Sequence, residues 1–290
     1  MLCKICESSN IAKIFSSGNT HGRHVLEDLS RFDVYRCREC GIVFLGGITV
    51  NSEYFSRYYL PDYYGSGVSG SLANRVLELF GKIIINLKES EILRYFNLKN
   101  KAKLKILDIG CGSGEFLSNI SSNIFEKYGL EINPSGYSEC RRKQLEVFNI
   151  DLNEARFGSD SFDVITMWHV LEHSDKPGDL LQEARRILKS NGILIIATPN
   201  IDSLGFRYGG KNWFHLDSPR HLILYNRDSL GFIVGKAGFR VENFKNIFYD
   251  FPLDLFWSLR KSRRRLFIYP LYPFFKFLSG ETFLAVVRKT

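Results

Sequence analysis

Lys105-Ile106-Leu107-Asp108-Ile109-Gly110-Cys111-Gly112-Ser113-Gly114-Glu115 is the stretch from which the rest of the chain is read. Ile106, Leu107 and Ile109 make a short apolar run that ends in three alternating glycines, and a helical pattern opens at Glu115. The order is a strand, a tight turn and a helix. Glycine suits such a turn because the backbone there takes positive φ and approaches a ligand with no Cβ in the way. A dinucleotide fold also uses a Gly-rich strand-to-helix turn, so the spacing has to decide. The nicotinamide fingerprint places its third glycine where Glu115 stands, so that a pyrophosphate can reach the helix N-terminus. A carboxylate at that position repels phosphate. Asp108 with Gly-x-Gly-x-Gly suits a cationic, amino-acid-like ligand that carries no phosphate.

From Lys105 onward, short β-like runs alternate with helical ones, the signature of a parallel sheet wrapped by helices. The second run, Phe125 to Leu130, stops at Glu131. An acid at a strand tip about 20 residues beyond the turn can accept hydrogen bonds from both hydroxyls of a ribose. The third run, Val147 to Ile150, ends at Asp151 and Leu152. The fourth, Phe162 to Met167, lies in Asp160-Ser161-Phe162-Asp163-Val164-Ile165 and continues into Trp168-His169-Val170-Leu171-Glu172-His173, with Pro177 after it. In the glycine motif and in this His-x-x-Glu-His segment the chain resembles the class I S-adenosylmethionine (SAM) methyltransferases. That resemblance implies an α/β fold: a Rossmann-like seven-stranded methyltransferase sheet flanked by helices. It also implies a cofactor site of Asp108, Gly110, Cys111, Gly112, Gly114, Glu131 and Ile132. Asp151 would hold the adenine amino group and Leu152 would lie against the ring. Trp168 and His169 would sit at the carboxyl edge of the sheet, where open α/β folds bind ligands. Glu172 and His173 either take part in chemistry or shape the loop.

Downstream, Leu180 to Leu188 reads as an amphipathic helix with Arg185, Arg186 and Lys189 near its end, where cations suit the helix dipole. Asn191-Gly192 then turns into a fifth strand, Ile193 to Ala197. The connection after Asn200 is long and polar, and a long loop at this edge of the sheet is usually functional. Its segment Trp213-Phe214-His215-Leu216-Asp217-Ser218-Pro219-Arg220-His221-Leu222 resembles a signature of methyltransferases common among cell-surface glycan and secondary-metabolite enzymes. Methyl transfer from a sulfonium is an in-line displacement, so the main task is to hold acceptor and methyl in a near-attack arrangement. An oxygen or nitrogen acceptor also benefits from a base, for which His221 is the first candidate and His169 the second. Arg207, Lys211 and Arg220 are candidates to clamp a phosphate or carboxylate on the acceptor, with Tyr225 beside them. A salt bridge to Asp217 competes for Arg220. The last helix is expected from Asp228 to Ala237, with strands at Arg240 to Phe248 and Phe283 to Arg288.

The flanks carry two further features. Cys3-x-x-Cys6 and Cys37-x-x-Cys40 form two knuckles whose four thiolates can close a tetrahedral Zn2+ site, and Gly41 suits the second turn. A rubredoxin-like iron site is the alternative. His21 and His24, between the knuckles, read as ordinary loop residues. Tyr54, Tyr58, Tyr59, Tyr63 and Tyr64 precede a glycine- and serine-containing stretch through Gly70, either a lid or a packed hinge. Leu72, Val76, Leu79, Phe80, Ile83 and Leu87 then mark an amphipathic lead-in helix. The expected organisation is a zinc-ribbon-like module over 1–50, a linker and helix over 51–100, and the methyltransferase domain over 101–290. Within the last, 251–280 is an insertion in which Arg260, Lys261, Arg263, Arg264 and Arg265 stand beside Phe267, Tyr269, Tyr272, Phe274, Phe275 and Phe277. It reads either as a cap over the sheet or as a peripheral contact with an anionic membrane face.

The 290 residues carry a net charge of +8, which favours acidic partners: nucleic acid, phosphorylated sugars or anionic lipid. Nucleic acid is disfavoured because no base-reading module is present. The N-terminus lacks a basic segment followed by a long apolar core, so a cytoplasmic protein is expected, with peripheral membrane contact through 251–280 the alternative. The function expected from the resemblance is O-methylation of a sugar, a nucleotide sugar or a surface glycan precursor. A lipid or isoprenoid acceptor is the second reading, and a zinc-ribbon nucleic-acid-binding protein with an inactive methyltransferase domain the third.

Overall fold

The computed structural model describes residues 1–18, 31–59, 72–97 and 102–290. His21, His24, Tyr63, Tyr64 and the stretch through Gly70 lie outside the described residues. The chain opens with strands β1 (Ile11–Ser17), β2 (Phe32–Cys37) and β3 (Val43–Leu45) and helices α1 (Ser52–Tyr58) and α2 (Leu72–Leu93). An alternating series follows: β4 (Leu104–Ile109), α3 (Glu115–Asn119), β5 (Phe125–Leu130), α4 (Pro134–Arg142), β6 (Val147–Phe148), β7 (Phe162–Trp168), α5 (Pro177–Ile187) and β8 (Leu188–Pro199). The remainder is α6 (Leu204–Gly209), β9 (Ile223–Leu224), α7 (Arg227–Lys236), β10 (Phe239–Ile247), α8 (Asp254–Leu259), α9 (Arg265–Ile268), α10 (Tyr272–Ser279) and β11 (Thr282–Lys289).

Seven strands make one sheet in the order β10-β11-β8-β7-β4-β5-β6, with β4 parallel to β5 and β7, and β5 parallel to β6. This is the Rossmann-like seven-stranded sheet expected from the sequence. Its central strands are apolar without alternation because both faces are covered. Ile106 and Leu107 of β4, Val164 and Ile165 of β7, and Ile193 to Ala197 of β8 are all fully buried.

Two elements differ from the expectation. The third run forms a strand only over Val147–Phe148. Beyond it the Asn149 side chain donates to the carbonyls of Glu131 (2.7 Å) and Ile132 (3.0 Å), so a side chain replaces the ladder. The fifth strand starts at Leu188 and runs through Asn191-Gly192, where a turn was expected. A Cβ at Gly192 would lie 2.9 Å from the Asp163 carbonyl, so this glycine permits close approach rather than reversal.

The chain divides into two compact units: Met1–Tyr58 with His169–Asp179 and Ile196–Val286, and Tyr59–Trp168 with Leu180–Ile195 and Val287–Thr290. In the first, β1, β2, β3 and β9 form an antiparallel sheet in that order, with Val43 opposite Leu224 and Phe44 opposite Ile223. Val34, Val43, Leu45, Trp213, Leu216 and Leu224 pack into one core cluster there. The cysteine-bearing segment therefore shares a sheet and a core with residues beyond 200. The second unit holds β4 to β7 with α3, α4 and α5 from Leu180 onward.

Candidate active site

In the second unit, β4 delivers Asp108 to its carboxyl end and the chain turns through Gly110 (φ 66°), Gly112 (φ 57°) and Gly114 (φ 75°) into α3. All three glycines take the left-handed conformation that side chains resist. The Gly112 N–H donates to Glu131 Oε2 and the Asn133 N–H to Glu131 Oε1, each at 2.7 Å. Glu131 sits where β5 ends, and the Asn133 side chain caps α4 behind it by accepting from Ser135 N and Gly136 N. Both acids are buried. Burial pushes the Asp108 carboxyl up to about 7, against the Thr166 hydroxyl that donates to it (2.7 Å) and the charge of Lys88. Burial also raises Glu131, opposed by its two backbone donors.

Trp168 ends β7 with its ring edge-on to Phe116 and the Lys88 ammonium 4.2 Å from its centroid. Its buried indole Nε1 has no hydrogen-bond partner among the described residues. Cys111 is buried against Cys140, Sγ to Sγ 3.9 Å. Leu152 is buried, Ile132 is half exposed, and Asp151 is exposed with its Oδ1 accepting from Asn153. Glu115 pairs with Lys143, so the acid that argued against a pyrophosphate is held beside the turn.

In the first unit a buried polar network surrounds Glu172. Its Oε1 lies 3.2 Å from His169 Nδ1, its Oε2 accepts from the Thr198 hydroxyl (3.1 Å), and its carbonyl accepts from Leu222 N (2.7 Å). His169, at φ 57°, reaches Asp250 Oδ2 through Nε2 at 3.2 Å. Burial alone would lower the His169 pKa, but hydrogen bonds and charge from Asp250 and Glu172 raise it to about 9. Burial alone would raise Glu172, but His169 and the neighbouring histidines hold it at about 2. His169 is thus a held cation and Glu172 a held anion.

His173 and His221 behave differently. Each turns Nδ1 to a backbone carbonyl, His173 to Arg220 O (3.1 Å) and His221 to His215 O (2.7 Å). Carbonyls only accept, so both rings carry the proton on Nδ1 and leave Nε2 basic. Burial lowers both pKa values, that of His173 to about 4, and both rings are neutral near pH 7. Ligand atoms of Glu172, His173 and His221 lie within 4.8 Å of one another, a spacing that a divalent metal can also use.

The expected acceptor residues do not converge. Arg207 and Lys211 are exposed. Arg220 is buried and engages Asp217 through Nε (3.1 and 3.0 Å) and Nη2 (2.5 Å), so the competing salt bridge is the one formed. Tyr225 is fully buried and its hydroxyl has no partner among the described residues. Asp250, Asp254, Lys276 and Glu281 were not legible as site residues. His215 Nε2 lies 3.0 Å from Asp254 Oδ2, and Lys276 donates to Asp254 Oδ1 at 2.6 Å. Glu281 accepts from Trp213 Nε1 and Gly205 N, both 2.7 Å. Lys276 is buried against Asp254.

At the N-terminus the four cysteine ligand atoms lie within 4.8 Å of one another, with Cys3 Sγ to Cys40 Sγ and Cys6 Sγ to Cys37 Sγ both 3.5 Å. A disulfide needs about 2.05 Å, so these are four free thiols.

A parallel sheet whose first strand ends in a left-handed glycine turn, with an acid at the tip of the next strand, defines a class I SAM-dependent methyltransferase. The model of the methyltransferase domain family matches residues 80–243, and the chain belongs to that family. Among curated proteins it is 27% identical over 124 residues to the mitochondrial ubiquinone biosynthesis O-methyltransferase of Candida albicans, covering 39% of this chain and 38% of that one. To the ubiquinone biosynthesis O-methyltransferase of Haemophilus ducreyi it is 25% identical over 123 residues, covering 37% and 52%. The chain spans about half the length of the curated relatives it matches. Among solved structures, a SAM-dependent methyltransferase from Archaeoglobus fulgidus aligns with TM-score 0.51 and 21% identity over 76% of this chain and all of that one. The geranyl diphosphate C-methyltransferase of Streptomyces coelicolor aligns with TM-score 0.54 and 12% identity over 78% and 87%. These likenesses concern the fold.

Proposed function

We propose that this chain transfers the methyl group of SAM to an oxygen of a small-molecule acceptor. The observation that carries the reading is the pair of buried acids, Asp108 and Glu131, set on either side of a left-handed glycine turn with no phosphate-binding N-terminus. That donor set fits SAM: a cationic ligand beside Asp108 would restore its ionised form, and Glu131 keeps lone pairs for ribose hydroxyls. Gly110, Cys111, Gly112 and Gly114 would supply backbone contacts, Leu152, Ile132 and Asp151 would hold the adenine, and Trp168 would close the site at the strand end. When bound, SAM supplies an electrophilic methyl on a sulfonium.

His221 is the base this reading favours, because its ring is neutral near pH 7 and its Nε2 is unprotonated. His169, held as a cation, suits charge stabilisation better than proton removal. The oxygen acceptor is supported by the names of the ubiquinone-biosynthesis relatives. The resemblance of the loop from Trp213 to Leu222 is what keeps a sugar, nucleotide sugar or glycan precursor as the alternative acceptor. Transfer of labelled methyl to panels of quinol and nucleotide-sugar acceptors tests both. Turnover on one panel, reduced about a hundredfold by His221→Gln with S-adenosylhomocysteine affinity kept, is the expected result. Absence of transfer to any hydroxylated acceptor despite SAM binding sinks it.

We also infer that Cys3, Cys6, Cys37 and Cys40 hold a structural Zn2+. Four sulfurs at about 2.3 Å from a tetrahedral zinc stand about 3.8 Å apart, and the 3.5 Å pairs need only a small expansion. All four positions are filled by protein, so this metal takes no part in catalysis.

A further inference from the structure

Helix α10 is amphipathic the wrong way round. Its inward side carries the buried Lys276 and Ser279. Its outward side carries Phe274 (60% exposed), Phe277 (63%) and Leu278 (53%), spaced i, i+3 and i+4 on one face. Just upstream, α9 exposes Leu266 (71%) and Phe267 (78%). A face this apolar, on a helix whose only cation points inward, needs something to cover it.

The charge beside the patch says what covers it. Arg260, Lys261, Arg263, Arg264 and Arg265 are all exposed, and none has an acidic partner among the described residues. From Leu255 to Gly280 the sequence contains no Asp or Glu. A second copy of the chain docking here by two-fold symmetry would press two such cationic clusters together. An anionic bilayer answers both features, because it accepts aromatic and aliphatic side chains at the headgroup boundary and neutralises the cations. Trp257 and Tyr269, at the rim of the patch, are residues that suit that boundary. Among the described residues no helix is long and apolar enough to cross a membrane.

We propose that residues 253–278 dock the protein on an anionic phospholipid surface, with Leu266, Phe267, Phe274, Phe277 and Leu278 entering the headgroup boundary and the five cations meeting lipid phosphates. The proposal stands independently of methyl transfer.

Co-sedimentation of the full chain with phosphatidylcholine vesicles, with and without phosphatidylglycerol, tests it. The expected result is binding to the anionic vesicles, weakened by salt. Replacing Arg263, Arg264 and Arg265 by Gln should weaken it about a hundredfold, at about fivefold per cation. Phe267→Ser with Phe274→Ser should weaken it at least about tenfold. Cooperative thermal unfolding of each variant shows that the fold is intact, with at most a small fall in melting temperature for the arginine set, because Arg264 lies over the Tyr208 ring and Arg265 donates to the Arg260 carbonyl. Three results overturn the proposal: no binding to the anionic vesicles, binding indifferent to both sets of substitutions, or a dimer at sedimentation equilibrium that the Phe substitutions dissociate. The last assigns the face to a second copy.

Discussion

Replacing Glu172 by Gln removes the central anion of the buried network while keeping its shape. Glu172 is fully buried and pairs with His169, whose side chain is 17% exposed. In the folded chain His169 holds its proton to about pH 9, against an ordinary value of 6.5. A group whose pKa is raised by folding stabilises the fold fully below its unfolded pKa and loses that contribution as pH rises through the folded one. The difference corresponds to about 3 kcal/mol, present at pH 6.5 and lost toward pH 9. Removing one partner of a buried pair costs about 3–5 kcal/mol, and Asp250 remains to hold part of the charge in the variant. We therefore expect Glu172→Gln to be about 3 kcal/mol less stable at pH 6.5, with the gap narrowing as the pH approaches 9. Urea unfolding of both proteins across that range measures it, and the difference between them cancels titrations they share, such as that of Asp108. A gap below about 1 kcal/mol at pH 6.5, or one that stays constant to pH 9, would refute the assignment of His169 and Glu172 as a held ion pair.

Other substitutions read other parts of the structure. Trp213→Phe takes a donor from Glu281 Oε2 and should cost about 1–3 kcal/mol. A melting temperature unchanged from wild type would show that this bond contributes nothing. Gly114→Ala forces a side chain into the left-handed region at about 1–2 kcal/mol and drives its Cβ against Leu145 and to 2.9 Å from Cys140 Sγ. Both stability and affinity for S-adenosylhomocysteine should fall, and full retention of that affinity would place the ligand away from the turn. Cys37→Ser should drop bound zinc from about one ion per chain to near none by elemental analysis. A wild-type protein purified without chelators and found metal-free would contradict the zinc reading.

The parts legible in the sequence are those written locally. The turn from Gly110 to Gly114 and the acid Glu131 at the tip of β5 follow from spacing alone, because strand, turn and helix are each encoded within about ten residues. The rest depends on chain closure over long distances. Nothing near Val43 or Phe44 announces that two residues, Ile223 and Leu224, complete their sheet. Asp250 lies far along the chain from His169, and the ion pair they share raises a histidine that read as a candidate base into a fixed cation. Lys276 shows the same limit: it stands in sequence among six aromatic residues, yet it is buried against Asp254 while Phe274 and Phe277 stay exposed. Asn191-Gly192 misled in the other direction, since a turn dipeptide sits inside β8 where Gly192 lets Asp163 pass.

The most direct test of the account is isothermal titration of the purified chain with SAM and S-adenosylhomocysteine, alongside the Asp108→Ala, Glu131→Ala double variant and an NAD control. The account predicts saturable binding of both sulfur ligands, abolished in the folded double variant, with none for NAD. Failure of the folded wild-type protein to bind either ligand, or binding that survives loss of both acids, would contradict it.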